Sequence, residues 1–91
     1  GDVLVLLDAR GKEFTSREFS TFLENKMQTV SKRLVLLIGG PYGFSQRIYD
    51  AAQGKISLSK MTFSHQMVRL FLVEQIYRAF TIMRGEPYHH D

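Results

Sequence analysis

The last third of the chain contains a segment that is apolar on most sides of the helix it is expected to form. It runs from Ser64 to Met83 and reads SHQMVRLFLVEQIYRAFTIM. Gly85 is expected to end this helix, and Pro87 prevents its return because proline has no amide hydrogen to donate. A helix with so little polar surface must be covered on several faces. We therefore expect it to pack against its own sheet and, in part, against a second subunit.

The rest of the sequence alternates short apolar runs with helical segments. Strands are predicted at Val3–Leu7, Leu34–Ile38 and Ile56–Leu58. Helices are predicted at about 15–29, 45–53 and 64–83. The first helix is expected to begin at a capping box formed by Thr15 and Glu18, and the second to be capped by Ser45. The order β-α-β-α-β-α predicts a parallel sheet with right-handed crossovers. Such sheets bind ligands beyond the carboxyl ends of their strands, which here are the loops 8–11, 39–43 and 59–64.

Composition limits the class of protein. The chain has 91 residues, which predicts a single small domain over residues 1–91, and stability at this size favours dimerisation. It has no cysteine, which excludes disulfides and thiolate metal sites. Its apolar runs outside the long helix are too short to span a membrane. The net charge of +3 permits an anionic partner such as RNA without requiring one. The abrupt start on an apolar strand suggests a fragment.

Several motifs offer a functional and a structural interpretation. The Gly-Gly turn at 39–43 either lets the backbone approach a ligand closely or is an ordinary turn between a strand and a helix. The hydroxyl-rich segment 57–64 either holds a polar small molecule or caps the next helix. Glu74 and Arg78 stand four residues apart and can form an ion pair, whether structural or at an interface. His65, in a first helical turn, is interpreted as structural. The closing Tyr88-His89-His90 can contact a base, or be a frayed end.

Three segments together resemble a known family. In this order and spacing, LLIGGPYGFS, ISLSKMTFSHQMVRLFLVEQIYRAF and GEPYH resemble the SPOUT-class ribosomal large-subunit pseudouridine N3-methyltransferases, from about Val3 to His89. The resemblance implies an α/β fold of the α/β-knot type, with a trefoil knot and a mainly parallel sheet, S-adenosylmethionine as cofactor, and a cytoplasmic homodimer without metal or membrane. It implies methylation of N3 of a pseudouridine in 23S rRNA within the ribosome. Family members carry a further N-terminal portion, so this chain would be the C-terminal portion of the domain, less stable and poorly active alone.

The resemblance also implies roles for individual residues. Those expected to bind the cofactor are Leu7, Gly40, Leu58, Ser59, Lys60, Met61, Thr62, Phe63 and Ser64. Those expected at the catalytic centre are His89, Tyr88, Arg78 and Glu74. Two other functions remain open at this point: a non-catalytic RNA-binding or dimerisation module of the same fold, and a SPOUT methyltransferase that acts on tRNA.

Overall fold

The computed structural model of the protein describes residues 2–30, 32–39 and 43–87. Within these ranges, strands and helices alternate in the predicted order. The elements are β1 (Val3–Glu13), α1 (Ser16–Thr29), β2 (Leu34–Ile38), α2 (Gln46–Ala51), β3 (Gly54–Ser57) and α3 (His65–Met83). The β-α-β-α-β-α prediction is therefore confirmed.

The sheet is parallel, with the strand order β2-β1-β3. The first part of β1 lies at its centre, and Val5, Leu6 and Leu7 expose 1%, 0% and 8% of their surface. This confirms a strand buried on both faces, as its continuous apolar run predicts. β2 is also a continuous apolar run, but it is only half-buried along its whole length. The reason is its position at an edge of the described sheet.

β1 continues beyond the predicted end at Leu7 to Glu13. Ile56 of β3 is the partner of both Leu7 and Lys12, so the residues between these two leave the regular ladder. Gly11 lies in that irregular segment. A Cβ atom added to it would be 2.7 Å from backbone atoms of Lys55 and Ile56. Only glycine allows so close an approach of two backbones.

α1 begins at the predicted capping box. The Thr15 hydroxyl accepts from the Glu18 amide at 3.1 Å, and the Glu18 carboxylate accepts from the Thr15 amide at 2.8 Å.

Further along α1, the Ser20 hydroxyl donates to the carbonyl oxygen of Ala79 at 3.1 Å. Ala79 is fully buried, at 0% exposure. Small side chains at this point allow α1 and α3 to pack closely on one another.

The ends of α2 and α3 test the predicted caps. The Ser64 hydroxyl accepts from the Met67 amide at 3.3 Å, and Gly85 follows the helix with a φ of +70°. Both predicted ends of α3 are thus confirmed. Ser45 occupies the N-cap position of α2, but its side chain makes no capping hydrogen bond. The predicted start of α2 at Ser45 is therefore confirmed, but without a hydrogen bond from the Ser45 side chain.

α3 is only partly covered by its own chain. Its buried residues are Leu72, Ala79 and Thr81. On another side, Leu70, Val73 and Tyr77 expose 60%, 64% and 53% of their surface. These three residues, spaced by three and then four positions, form what we call the exposed stripe of α3. The described part of the chain does not cover this stripe, which leaves it available to a second subunit.

Candidate functional site

A cavity of about 140 Å³ lies beyond the carboxyl end of β3, beside residues 7–9 of β1, where β1 leaves its regular pairing with β3. It is lined by these residues of β1, by the end of β3 with the loop that follows it, and by Val68 of α3. Six residues that were predicted to bind the cofactor line it together: Leu7, Leu58, Ser59, Met61, Thr62 and Phe63. The position is the one expected for a ligand of a parallel sheet.

Hydrogen bonds within the loop fix its shape. The Ser57 hydroxyl donates to the Ser59 carbonyl oxygen at 2.9 Å, and the Ser59 hydroxyl accepts from the Met61 amide at 3.0 Å. Short polar side chains often fold a loop back on itself in this way. The segment is therefore an ordered wall of the cavity, and Ser57 also belongs to that wall.

The remaining predicted cofactor residues lie elsewhere. Lys60 is exposed on the same loop and does not line the cavity. The Ser64 hydroxyl is engaged in capping α3. Gly40 lies outside the described residues, as do Tyr88 and His89, so their predicted roles stay predictions.

Glu74 and Arg78 form the predicted ion pair. The Arg78 Nε donates to the Glu74 Oε1 at 2.7 Å, and the Arg78 and Glu74 side chains are 27% and 43% exposed. Glu74 also lines a wider groove of about 790 Å³ between α1, the end of β3 and α3. This groove shares Leu58, Ser59 and other residues of the loop with the cavity of about 140 Å³. Glu74 thus lines the groove beside this cavity, although neither Glu74 nor Arg78 lines the cavity itself.

Asp8 lines the cavity but was not among the predicted site residues. Its side chain is only 9% exposed, and it accepts hydrogen bonds from the Tyr49 hydroxyl at 2.5 Å and the Arg10 amide at 2.8 Å. The Arg10 guanidinium adds an ion pair at 3.4 Å. Burial alone raises the pKa of Asp8, but these hydrogen bonds outweigh it and hold the pKa at about 2. The wall of the cavity therefore carries a negative charge at neutral pH.

Part of this arrangement was visible in the sequence. Asp8 is a charged residue that directly follows a buried apolar strand, and this marks the carboxyl end where ligands bind. Its contact with Tyr49 joins residues 41 positions apart. No local pattern predicts a contact of that kind.

His65 connects two of the three predicted ligand loops. Its Nδ1 lies 3.2 Å from the carbonyl oxygen of Gly39, at the end of β2. Because a carbonyl oxygen can only accept a hydrogen bond, Nδ1 of His65 carries the hydrogen atom and donates it. This contact supports the structural interpretation of His65.

Comparison with known proteins identifies the family. The family model described as "Predicted SPOUT methyltransferase" matches residues 1–89. The chain belongs to the SPOUT methyltransferase family. The resemblance of its three segments to that family is thereby confirmed. The knot that gives the fold its name stays a prediction.

Individual relatives of this SPOUT chain carry a more specific name. The protein named "Ribosomal RNA large subunit methyltransferase H" from Parabacteroides distasonis is 70% identical over all 91 residues. The proteins of the same name from Phocaeicola vulgatus and Bacteroides fragilis are 69% and 67% identical over the same length. In each case the chain spans only 58% of the relative's own length.

The described residues contain neither a cluster of metal ligands nor a membrane-spanning helix. In residues 2–30, 32–39 and 43–87, no group of three or more His, Asp or Glu side chains is placed to hold a metal ion. No helix in the same ranges is long and apolar enough to cross a membrane.

Proposed function

We propose that this SPOUT chain belongs to an S-adenosylmethionine-dependent enzyme that methylates N3 of a pseudouridine in 23S rRNA, within the large ribosomal subunit in the cytoplasm. The observation that carries the proposal is the cavity in which Leu7 meets the 58–63 loop at the strand ends. The relatives are named as methyltransferases of large-subunit ribosomal RNA, which favours this class of substrate.

The chemistry of the cavity fits the cofactor. The cavity offers apolar side chains, hydroxyl groups and one carboxylate, which suit a ligand with a flat ring, a sugar and a cationic group. The apolar residues are Leu7, Leu58 and Phe63, the hydroxyl groups belong to Ser57, Ser59 and Thr62, and the carboxylate belongs to Asp8. When bound, S-adenosylmethionine would supply an electrophilic methyl group. A ligand pocket usually measures about 300–1,000 Å³, so a cavity of about 140 Å³ holds part of such a molecule.

The proposed roles of the catalytic residues follow from what the target base requires. N3 of the base carries a proton that must leave, and imidazole accepts protons near neutral pH. We assign this step to His89 and the orientation of the base to Tyr88. Glu74 holds the Arg78 guanidinium at 2.7 Å, and a guanidinium held in this way can donate to a phosphate or a base edge.

The proposed assembly is a homodimer. Leu70, Val73 and Tyr77 form a contiguous apolar stripe that is more than half exposed. Their spacing matches the seam along which two helices pack together. A second copy of the chain would cover this stripe and bring a second cofactor loop near the first subunit.

Two measurements on the full-length protein test the proposal. Calorimetry is expected to show binding of S-adenosylmethionine, and mass spectrometry is expected to show one methyl group added to a pseudouridine when the enzyme acts on unmodified ribosomes. His89→Ala should slow methyl transfer by about 10²–10⁴-fold while the affinity for the cofactor is unchanged. His90→Ala, a neighbouring histidine with no assigned role, is the matched control.

Three outcomes would contradict the proposal. A folded dimer that does not bind the cofactor would favour the non-catalytic module. Methylation of tRNA instead of ribosomal RNA would favour the other SPOUT activity. A loss of cofactor binding alone in His89→Ala would refute the role given to His89.

A further inference from the structure

A second groove, of about 520 Å³, runs along α1 and the beginning of β3. We call it the lysine groove, because three lysines line it: Lys12, Lys26 and Lys55. Glu18 is the only carboxylate among its described lining residues, and it already accepts from the Thr15 amide at 2.8 Å in the capping box. The groove therefore has a net positive charge.

The lysines are held in place by aromatic rings. The Lys12 ammonium lies 5.3 Å from the centre of the Phe14 ring, and the Lys26 ammonium lies 5.5 Å from that of Phe22. These two rings pack against each other, with centres 5.3 Å apart. The rings attract the ammonium groups through their negative faces and restrict their motion. Two positive charges are thus positioned on one side of the groove before any partner arrives.

The third lysine extends the positive surface across β3. The Lys55 ammonium lies 5.6 Å from the centre of the Tyr49 ring, so an aromatic ring holds this lysine as well. Like charges gathered around one groove repel one another, and an anionic partner would relieve this repulsion. Repeated negative charges, such as those of a phosphate backbone, match a row of separate ammonium groups.

We propose that the lysine groove binds the phosphate backbone of a single-stranded RNA segment, away from the site of methyl transfer. This inference rests on the proposed function only for the choice of RNA as the anion. The groove and the cofactor cavity have no described lining residue in common. The groove begins near Gly54, at the start of β3, whereas the cavity lies beyond Ser57, at the end of the same strand. Changes in the groove should therefore leave cofactor binding intact.

The test measures RNA binding by the full-length protein at several salt concentrations. The probe is a fluorescent oligouridylate of about ten nucleotides, followed by anisotropy. Neutralising Lys12 and Lys55 together, by Lys12→Gln and Lys55→Gln, should weaken binding. It should also reduce the slope of log affinity against log salt by about 0.7 for each phosphate that the lysines no longer neutralise, or about 1.4 in all. An oligocytidylate should show the same reduction, because backbone contacts do not read the base.

Lys32→Gln is the matched control, since Lys32 is exposed and lies outside the groove. It should leave the slope nearly unchanged. The inference is overturned if the double variant keeps the original slope, or if Lys32→Gln reduces it equally. It is also overturned if polyglutamate of equal charge binds as tightly as the RNA and depends on the same lysines, because the partner would then be an acidic polypeptide.

Cofactor calorimetry on the same proteins separates this inference from the proposed function. If the unmodified protein binds no S-adenosylmethionine but its RNA binding depends on Lys12 and Lys55, the proposed function fails and the groove stands. If the double variant binds the cofactor and RNA as well as the unmodified protein does, the groove fails and the proposed function stands. Equal melting temperatures would establish that the variants are folded.

Discussion

Gly11 packs directly against β3, the strand that leads into the loop 58–63. A methyl group at this position would lie 2.7 Å from backbone atoms of Lys55 and Ile56. Because the atoms in the way are backbone, relief requires β3 itself to move. We expect Gly11→Ala to lower the free energy of unfolding by about 1–3 kcal/mol, as measured by urea denaturation.

Gly54→Ala is the control for that substitution. Gly54 lies on the same strand, β3, but a Cβ atom added to it would meet nothing within 4 Å. We expect a change of no more than about 1 kcal/mol in either direction. Equal losses at Gly11 and Gly54 would show that the close backbone approach has no energetic weight.

Tyr49 determines how firmly the charge of Asp8 is held. Its hydroxyl donates to the Asp8 carboxylate at 2.5 Å and accepts from Arg10 at 2.6 Å. Tyr49→Phe removes this hydroxyl, so the pKa of Asp8 should rise from about 2 toward its ordinary value of 3.8. Near neutral pH we expect a decrease of about 1–2 kcal/mol in the free energy of unfolding, since a hydrogen bond to a charged group is removed.

The pH dependence of this decrease has a definite sign. A pKa that is lower in the folded state stabilises the fold above the unfolded value, and this contribution disappears as the pH falls through the folded value. The difference between the Tyr49→Phe variant and the unmodified protein should therefore be complete at neutral pH and shrink between about pH 4 and pH 2. Thermal melts over that range measure it. In Asp8→Asn, which has no carboxylate at this position, the Tyr49→Phe effect should no longer vary over that range.

At the scale of elements, local sequence signals predicted most of the helices and strands. The capping box at Thr15 and the turn at Gly85 each act within a few residues, and both were confirmed. The continuation of β1 to Glu13 was missed, because it depends on pairing with Ile56, far away in sequence. The cofactor role of the loop after β3 was inferred from a resemblance to a family and stays a prediction, whereas no sequence signal indicated the contact of Asp8 with Tyr49.

The exposed stripe of α3 provides a test of the proposed homodimer. Leu70→Asp places a charge in the middle of an apolar contact, where it would be buried without a partner. Since Leu70 is 60% exposed, the fold of one subunit should tolerate the change. We expect the full-length variant to sediment as a monomer in analytical ultracentrifugation.

Met27→Asp is the matched control for Leu70→Asp. Met27 lies on α1, outside the stripe, and is exposed to a similar degree, at 57%. This variant should remain a dimer. Dimers in both variants would place the subunit contact elsewhere, and monomers in both would indicate a general effect of the added charge.

At the scale of the whole molecule, much apolar surface remains uncovered. The described sheet has three strands, two of them at edges. The wide groove of about 790 Å³ between α1 and α3 is lined by several aromatic and aliphatic residues, including Phe14, Phe63, Leu70 and Phe71. A domain of this size buries only about 60–70% of the surface of its unfolded chain, so added covering has a large effect on stability.

This uncovered surface leads to a prediction about chain length. The 91 residues span 58% of the length of their relatives. A protein extended to that full length should melt at a higher temperature and transfer methyl groups faster than the 91-residue chain, because additional chain can cover a sheet edge or the wide groove. Melts at several protein concentrations separate this gain from dimer formation, since only a gain from association grows with concentration. Equal melting temperatures and equal rates for the two proteins would mean that the 91 residues already contain all that the fold and the site require.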